Sequence, residues 1–323
     1  MLSATDIRLA QQRIRDRLTP TPLIEAHGLS EELGCTVLLK LEQSNPTGSF
    51  KVRGVFNKLL SLSAEELSAG VVAYSGGNHA RAVAYASRLL KIPARVHMPE
   101  TASPASIQAT RDDGAEVVLA ANAALALERA ISEKDQGRIF VHPYDDPMVW
   151  AGQGTIGLEL LSQAPNLSAV FVSIGGGGLI TGITTALHDA RPGIRVFGVE
   201  TVGADTMRQS LEVGHSIRLT HPTSIAKTLT APTVSEYALQ ICQHQLRALE
   251  VVSDDEALHD LRVLLEDCKL LTEPAASCTL SALRRRRQEF SKDDQVVLVM
   301  CGGNVSIPEL QPWLEARASK ETA

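Results

Sequence analysis

The chain has 323 residues, of which 44% are hydrophobic and 21% are charged, and its formal net charge at pH 7 is −6. This composition excludes a mainly disordered chain, and the acidic balance argues against a surface that neutralises nucleic acid phosphates. The length allows one large domain or two smaller ones.

The cysteine content and the hydropathy pattern bear on location. The five cysteines form an odd set without a C-x-x-C pair, which indicates neither a disulfide framework nor a thiolate zinc site. A reducing cytoplasm fits such a set best. No run of about 18 consecutive apolar residues occurs, and residues 1–17 lack the apolar core of a signal peptide. We therefore expect a cytoplasmic protein without a nucleic acid or membrane partner.

Short β-branched or apolar runs alternate with longer segments of helical periodicity. The predicted strands are residues 37–41, 71–75, 94–98, 116–120, 169–174, 196–200 and 296–301. The predicted helices include residues 78–90, 124–133, 152–163 and 254–268. This alternation predicts an α/β fold with mostly parallel sheets covered by helices on both faces.

The first predicted strand is followed by a turn that brings Lys51 close to a helix start. Most lysines are solvated surface residues, and that interpretation fits Lys51 taken alone. However, Phe50 directly precedes it, and a helix N-terminus would lower the pKa of the lysine by disfavouring its ammonium form. A neutral amine is what Schiff base formation requires.

The strand predicted at residues 169–174 leads into a run of glycines before the next helix. These are Gly175, Gly176, Gly177 and Gly178. Successive glycines let the backbone approach an anion closely, and a helix N-terminus adds a favourable dipole. The spacing excludes a dinucleotide fingerprint, because Ile180 and Thr181 stand where glycine is needed, and Ile183 excludes a Walker A loop. A cradle for a single phosphate and a tight strand-to-helix packing both remain open.

Four motifs follow one another along the chain. They are Ser49-Phe50-Lys51 with Arg53-Gly54, Ser75-Gly76-Gly77-Asn78-His79, the run Gly175 to Leu179, and Cys301-Gly302-Gly303-Asn304. Together they resemble the fold type II pyridoxal 5′-phosphate enzymes, specifically the threonine dehydratase and serine racemase family. The resemblance covers nearly the whole chain, including residues 151–157 and 273–276.

This resemblance implies a tryptophan synthase β-like fold of two domains, each with a twisted, mostly parallel sheet covered by helices. Residues 1–69 and 145–323 would form the large cofactor-binding domain, and residues 70–144 the small domain. The family is usually oligomeric, so a homodimer is expected. The chain ends soon after Trp313, and we expect no regulatory domain of the kind found in isoleucine-sensitive threonine dehydratases.

The resemblance also implies how pyridoxal 5′-phosphate would be held. Lys51 would form the Schiff base and then act as the base at Cα of the substrate. Phe50 would lie against one face of the ring, with ordinary core packing as its structural alternative. The phosphate would be bound by the backbone N–H groups of Gly175, Gly176, Gly177, Gly178 and Leu179. Asn78 would contact the ring hydroxyl.

Ser75, Gly77, Asn78 and His79 match the loop that binds the substrate carboxylate in this family. A histidine that merely completes a helix start is the structural alternative for His79. Cys301 matches the residue that faces the pyridine nitrogen, and a buried core cysteine is its alternative. A neutral thiol does not hold a proton on that nitrogen, which favours prompt elimination over a long-lived carbanion.

These roles imply an ammonia-lyase that converts a β-hydroxy-α-amino acid to a 2-oxo acid and ammonia. Threonine, serine, 3-hydroxyaspartate, phenylserine and the hydroxylated diaminobutyrate of hydroxyectoine utilisation remain open as substrates. A serine or amino acid racemase and a β-replacement enzyme of the same fold are alternatives. A binding protein that has kept the fold is a third, although the intact Lys51 argues against it.

The sequence departs from the family pattern at three places. Gly76 stands where serine racemases carry their second base, which favours dehydration over racemisation. Thr228, with Lys227 before it, replaces a glycine that lies against the ring in relatives, and we expect it to narrow the pocket. The positions that bind a divalent cation in some relatives are Glu200, Ala204 and Thr206 here. Threonine is a poor ligand for a hard cation, so no metal is expected.

Overall fold

The computed structural model describes residues 1–313, in which two sheets are flanked by helices. The strands are β1 (Leu23–Glu25), β2 (Thr36–Leu41), β3 (Val71–Tyr74), β4 (Ala94–Pro99), β5 (Glu116–Ala120), β6 (Ile139–Phe140), β7 (Leu167–Ser173), β8 (Arg195–Thr201), β9 (Ala248–Val252) and β10 (Gln295–Met300). The helices are α1 (Ala4–Ile14), α2 (His27–Leu33), α3 (Lys51–Leu60), α4 (Ala64–Ser68), α5 (Asn78–Leu90), α6 (Pro104–Asp112), α7 (Ala123–Asp135), α8 (Pro147–Gln163), α9 (Gly178–Ala190), α10 (Thr206–Val213), α11 (Glu236–Gln245), α12 (Asp254–Glu266) and α13 (Pro274–Arg286). None of the helices within these residues is long and apolar enough to span a membrane.

The larger sheet has the strand order β1-β2-β10-β7-β8-β9, and the smaller sheet has the order β5-β4-β3-β6. Within residues 1–313, β1 and β2 pair antiparallel, and the other paired strands are parallel. The central strand β10 is buried along Val296, Val297, Leu298, Val299 and Met300, as expected for a strand covered on both faces. The predicted α/β fold with mostly parallel sheets is confirmed.

The two sheets have separate hydrophobic cores. The strands of the smaller sheet lie within residues 71–140, and its core also includes side chains from α3 and the end of α1, among them Val55, Phe56 and Ile14. The core of the larger sheet draws on β2, β7, β8, β10 and the helices that cover them. The predicted domain boundaries, residues 1–69 with 145–323 and residues 70–144, stay a prediction.

A glycine stripe on α8 lets three helices pack closely together. A Cβ on Gly152 would lie 2.5 Å from the Cα of Gly54 in α3. A Cβ on Gly182 of α9 would lie 2.5 Å from the backbone nitrogen of Gly154. Larger residues at these positions would force the backbones apart. The stripe therefore holds α3, whose first residue is Lys51, close against α8.

A buried ion cluster fixes α3 further. Arg53 is 1% exposed, and its guanidinium donates to Glu42 from Nε at 2.7 Å and to Glu159 from Nη1 at 2.5 Å. Lys40, which is fully buried, donates to the other oxygen of Glu159 at 2.5 Å. Two cations thus balance two carboxylates, which is the condition for burying them without large cost.

Candidate active site

The catalytic candidates follow the carboxyl ends of β2, β3, β7 and β10, where ligands usually bind in parallel α/β sheets. An isolated bridge pairs Ser49 with Gly302 and so joins the segments after β2 and β10. The backbone N–H of Phe50 donates to the carbonyl of Cys301 at 3.0 Å. The structure therefore brings the first and the last of the four motifs together.

Lys51 is the first residue of α3 and is half-buried. Its Nζ donates to the carbonyl of Pro143 at 2.7 Å and lies 4.9 Å from the centroid of the Phe50 ring. Burial lowers the pKa of Lys51 to about 8, an effect that Cys301 and Glu273 partly oppose. The neutral fraction of this amine close to physiological pH is therefore far larger than that of an ordinary lysine.

The partner of Lys51 belongs to a turn after β6 that the sequence analysis did not single out. The Nδ1 atom of His142 accepts the backbone N–H of Tyr144 at 3.3 Å and that of Asp145 at 2.7 Å. Burial lowers the pKa of His142 to about 4, so the ring is a neutral acceptor at ordinary pH. His142 thus shapes the turn that presents the Pro143 carbonyl to Lys51. The polar and aromatic run at residues 142–146, directly after a strand, is the signal that could have identified it.

Tyr144 also covers the glycine loop. A Cβ on Gly176 would lie 2.2 Å from Cγ of the Tyr144 ring, and one on Gly178 would lie 2.9 Å from the Tyr144 carbonyl oxygen. Gly177 has φ +96°, and its Cβ would lie 2.3 Å from that of Ala238. On this side of the loop, Tyr144 and Ala238 pack so closely against the main chain that only glycine fits.

The other property of the loop is its free backbone donors. The first main-chain bond of α9 runs from the N–H of Thr181 to the carbonyl of Gly177 at 3.0 Å. The N–H groups of Gly178, Leu179 and Ile180 precede this ladder and have no acceptor inside the helix. An anion at this helix start would be stabilised by these donors and by the helix dipole. The glycine run can therefore serve both as a phosphate cradle and as a tight strand-to-helix packing.

A second helix start lies at α5. Ser75, Gly76 and Gly77 form the half-buried turn between β3 and the helix, and the Ser75 hydroxyl accepts the N–H of Gly77 at 3.1 Å. The backbone ladder begins with Arg81 N–H to the Gly77 carbonyl at 3.3 Å. The N–H groups of residues 78–80 therefore precede it, as at α9.

His79 takes a different place from its neighbours. The ring is buried, and Nε2 donates to the Val141 carbonyl at 2.8 Å, which assigns the proton to Nε2 because a carbonyl only accepts. Burial lowers the pKa of His79 to about 3. The ring is therefore neutral and committed to Val141, and only the main chain of His79 faces the helix start.

Asn78 and Cys301 meet at Glu273, a buried carboxylate whose role the sequence analysis did not identify. The Nδ2 group of Asn78 donates to both Glu273 oxygens, at 3.0 and 3.1 Å. The thiol of Cys301 donates to Oε1 at 3.8 Å, and the hydroxyl of Thr228 donates to the same atom at 3.1 Å. Burial raises the pKa of Glu273 and raises that of the Cys301 thiol well above its usual range. Cys301 is therefore a neutral thiol.

The positions that resemble a cation site have internal partners. Both carboxylate oxygens of Glu200 accept backbone N–H groups at 2.8 Å, from Met207 and Arg208 at the start of α10. The hydroxyl of Thr206 donates to the carbonyl of Ala231 at 3.1 Å. Within residues 1–313, no group of three or more His, Cys, Asp or Glu side chains is placed to hold a metal ion. The absence of a metal stays a prediction.

The assembled residues fit a phosphorylated aldehyde cofactor. One chain of contacts links the amine to the glycine loop, because Lys51 hydrogen-bonds to Pro143 and the adjacent Tyr144 packs on that loop. A second path runs from Phe50 through Cys301 and Glu273 to Asn78. A reactive amine, an anion-binding helix start and polar groups for a heteroaromatic ring are thus gathered at one edge of the sheets.

Comparison with known proteins gives a consistent result. The family model "Pyridoxal-phosphate dependent enzyme" matches residues 14–302. An L-threonine ammonia-lyase of Geobacter sulfurreducens is 39% identical over 98% of this chain and 79% of its own length. A phenylserine dehydratase of Ralstonia pickettii is 40% identical over 90% of each chain. The solved structure of maize serine racemase is 28% identical and superposes with a TM-score of 0.91, covering 100% of this chain and 99% of its own.

Proposed function

The chain belongs to the pyridoxal-phosphate dependent enzymes, and we propose that it is an ammonia-lyase that converts a β-hydroxy-α-amino acid to a 2-oxo acid and ammonia. The predicted resemblance to the threonine dehydratase and serine racemase family is confirmed, and so is the predicted cofactor. The single observation that supports the reaction most directly is Lys51, whose amine has a pKa of about 8 and contacts a carbonyl rather than a carboxylate.

Each cofactor contact is assigned to one structural element. Lys51 would attach the cofactor covalently, and Phe50 would pack against its ring. The α9 start, with Gly175, Gly176, Gly177, Gly178 and Leu179, would hold the phosphate. Asn78 and Cys301 would contact the polar groups of the ring. When bound, pyridoxal phosphate supplies the electron sink that stabilises negative charge at Cα.

The remaining steps belong to residues of the chain. The substrate carboxylate is bound at the start of α5 by Ser75 and by the N–H groups that follow Gly77. The neutral amine of Lys51 would remove the proton from Cα, and transfer of that proton to the β-hydroxyl group would let it leave as water. Because Cys301 stays a neutral thiol, negative charge at Cα is not held for long, and loss of the hydroxyl group is favoured over reprotonation.

Racemisation is the alternative reaction in this family. It needs a proton donor on the face of Cα opposite to Lys51, and Gly76 has no side chain to provide one. The neighbouring Ser75 hydroxyl accepts the Gly77 N–H and is assigned to the substrate carboxylate, not to Cα. Elimination is therefore the reaction that these residues support best.

The test is the release of ammonia and 2-oxo acid by the cofactor-loaded protein from a stereochemically complete panel of β-hydroxy amino acids. We expect stoichiometric release from at least one member, and loss of that release in Lys51→Ala. Lys58→Ala, in the same helix, is the control. Most activity retained in Lys51→Ala, or conversion of an amino acid to its enantiomer without ammonia, would refute the assignment.

Location and assembly are proposed with it. The five cysteines are unpaired, which supports a reducing cytoplasm. The net charge of −6 supports the absence of a nucleic acid partner. The family resemblance supports a homodimer, which analytical ultracentrifugation would test.

A further inference from the structure

A chain of side-chain hydrogen bonds runs from α5 to the buried carboxylate of Glu273. Arg81 donates from Nη1 to the Oδ1 atom of Asn304. The Nδ2 group of Asn304 donates to the Oδ1 atom of Asn78 at 2.7 Å. The Nδ2 group of Asn78 in turn donates to both oxygens of Glu273, at 3.0 and 3.1 Å. Each of the two amides therefore accepts at its oxygen and donates from its nitrogen.

The two ends of this chain fix its direction. A guanidinium group only donates and a carboxylate only accepts, so Arg81 requires an oxygen of its neighbour and Glu273 requires a nitrogen. The carbonyl of Thr47 accepts from Nδ2 of Asn304 at 2.8 Å, which gives the same orientation independently. A flipped amide at Asn304 would place two acceptors face to face at Thr47 and two donors face to face at Arg81. The orientation of Asn304 is therefore unique.

Close packing holds both amides in place. Gly48 has φ +70°, and a Cβ at this position would clash with Oδ1 of Asn304. A Cβ on Gly302 would lie 3.1 Å from Nδ2 of Asn78. Asn78 is 5% exposed, and Asn304 is half-buried. Neither side chain has room to swing away, so the polarity of their contact is a fixed property of the site.

The nitrogen of Asn78 has one donor to spare. An amide nitrogen carries two N–H bonds that diverge widely, whereas the two oxygens of one carboxylate lie close together. One N–H bond therefore points at Glu273, and the other can bind a further acceptor. A donor to the ring hydroxyl of the cofactor would favour the ionised form of that hydroxyl. Asn78 can supply this donor only while its nitrogen, and not its oxygen, lies on the side away from Asn304.

We propose that Asn304, held by Arg81 and Thr47, is a positioning residue that keeps Asn78 in the orientation in which it donates to the ring hydroxyl of the cofactor. This inference rests on the proposed function, because it takes Asn78 as a contact of the ring. Asn304 acts through Asn78 and does not itself have to touch the cofactor.

The test uses Asn304→Asp, which keeps the size of the side chain and the bond from Arg81 but replaces the donor to Asn78 with an acceptor. The Asn78 amide must then turn and present its oxygen to the cofactor. We expect cofactor affinity to fall roughly tenfold, and the long-wavelength absorption band of the bound cofactor to weaken relative to the short-wavelength band. Asn304→Ala should have a smaller effect on both, because Glu273 still orients Asn78.

The matched control is Asn122→Asp, at the start of α7. The Asn122 side-chain oxygen caps the N–H of Leu125 at 2.9 Å, and an aspartate can make the same bond. This control should leave the affinity and the absorption unchanged.

A double-mutant cycle shows whether the effect passes through Asn78. In Asn78→Ala, the further change Asn304→Asp should alter neither the affinity nor the absorption, because there is no longer an amide to orient. General damage to the site would instead add to the effect of Asn78→Ala. If Asn304→Asp does not fold, Asn304→Ala takes its place in the same cycle.

These readouts separate the inference from the proposed function, since neither depends on turnover. Additive effects in the cycle, or a loss in Asn304→Ala as large as that in Asn304→Asp, would overturn the inference while ammonia release by the wild-type protein upheld the function. If Asn78→Ala changed neither readout, Asn78 would not contact the ring and the inference would be wrong. If the wild-type protein released no ammonia but the variants behaved as expected, the inference would hold and the proposed reaction would fail.

Discussion

The low pKa of Lys51 predicts rapid capture of the cofactor at near-neutral pH. An aldehyde reacts only with the neutral amine. With a pKa of about 8 instead of 10.5, the neutral fraction of Lys51 at pH 7 rises roughly 300-fold, from about 0.03% to about 9%. We therefore expect the rate constant of capture to rise with pH and to level off above its midpoint close to pH 8.

The assay mixes cofactor-free protein with pyridoxal phosphate in a stopped-flow instrument between pH 6 and 10 and follows the visible absorption. Pyridoxal, which has no phosphate group to titrate, controls for the ionisation of the cofactor. In Glu273→Gln the midpoint should fall, because the Glu273 charge raises the pKa of Lys51. A midpoint close to 10.5, or a rate independent of pH between 7 and 9, would refute the argument.

Three further predictions concern stability and metal dependence. Arg53→Met leaves Glu42 without its paired cation and leaves Glu159 with Lys40 alone, so urea unfolding should show a loss of about 3–5 kcal/mol. Arg15→Met, at a side chain that is 71% exposed, should change the stability little. Gly176→Ala places a Cβ 2.2 Å from the Tyr144 ring, and this clash should lower the free energy of unfolding by about 1–3 kcal/mol. The same variant should bind the cofactor more weakly in equilibrium titration. Gly193→Ala, whose Cβ would have nothing within 4 Å, is the control. Chelation by EDTA should leave the activity and the unfolding temperature unchanged, because Glu200 and Thr206 already have internal hydrogen-bond partners. If EDTA lowered the activity or the unfolding temperature and Mg²⁺ restored it, this prediction would be wrong.

The long, buried elements were predictable because their sequence pattern is strong. The helix predicted at residues 78–90 and the strand at 116–120 have the bounds observed for α5 and β5. The edge strand β9 of the larger sheet was missed. The short strands β1 and β6, with three and two residues, were missed as well. Such strands carry too few residues for a pattern, and pairing with β2 and β3 determines them. The helix predicted at 152–163 begins earlier, at Pro147, where the Asp146 side chain caps Met148 N–H at 2.8 Å.

The site shows a similar division. Lys51 and the glycine loop stand out because each carries chemistry in a local motif. Glu273 does not, since its function lies in contacts with Asn78, 195 residues away, and with Thr228, 45 residues away. The Pro143 carbonyl is a backbone group, so the residue type at position 143 does not predict its contact with Lys51. Pairings across such separations are set by the packing of the two sheets and cannot be derived from spacing.

The surroundings of Lys51 indicate why it, rather than a histidine, would be the base. Burial lowers the pKa of His79 to about 3 and that of His142 to about 4, so both rings are neutral and do not change charge close to pH 7. The thiol of Cys301 stays protonated because burial raises its pKa well above the usual range. Lys51, with a pKa of about 8, is therefore the amine whose protonation state can change at the working pH. General base catalysis is most effective when the pKa of the base lies close to that pH. Burial lowers the pKa values of the two histidines far below this pH, whereas it lowers the pKa of Lys51 to a value close to it.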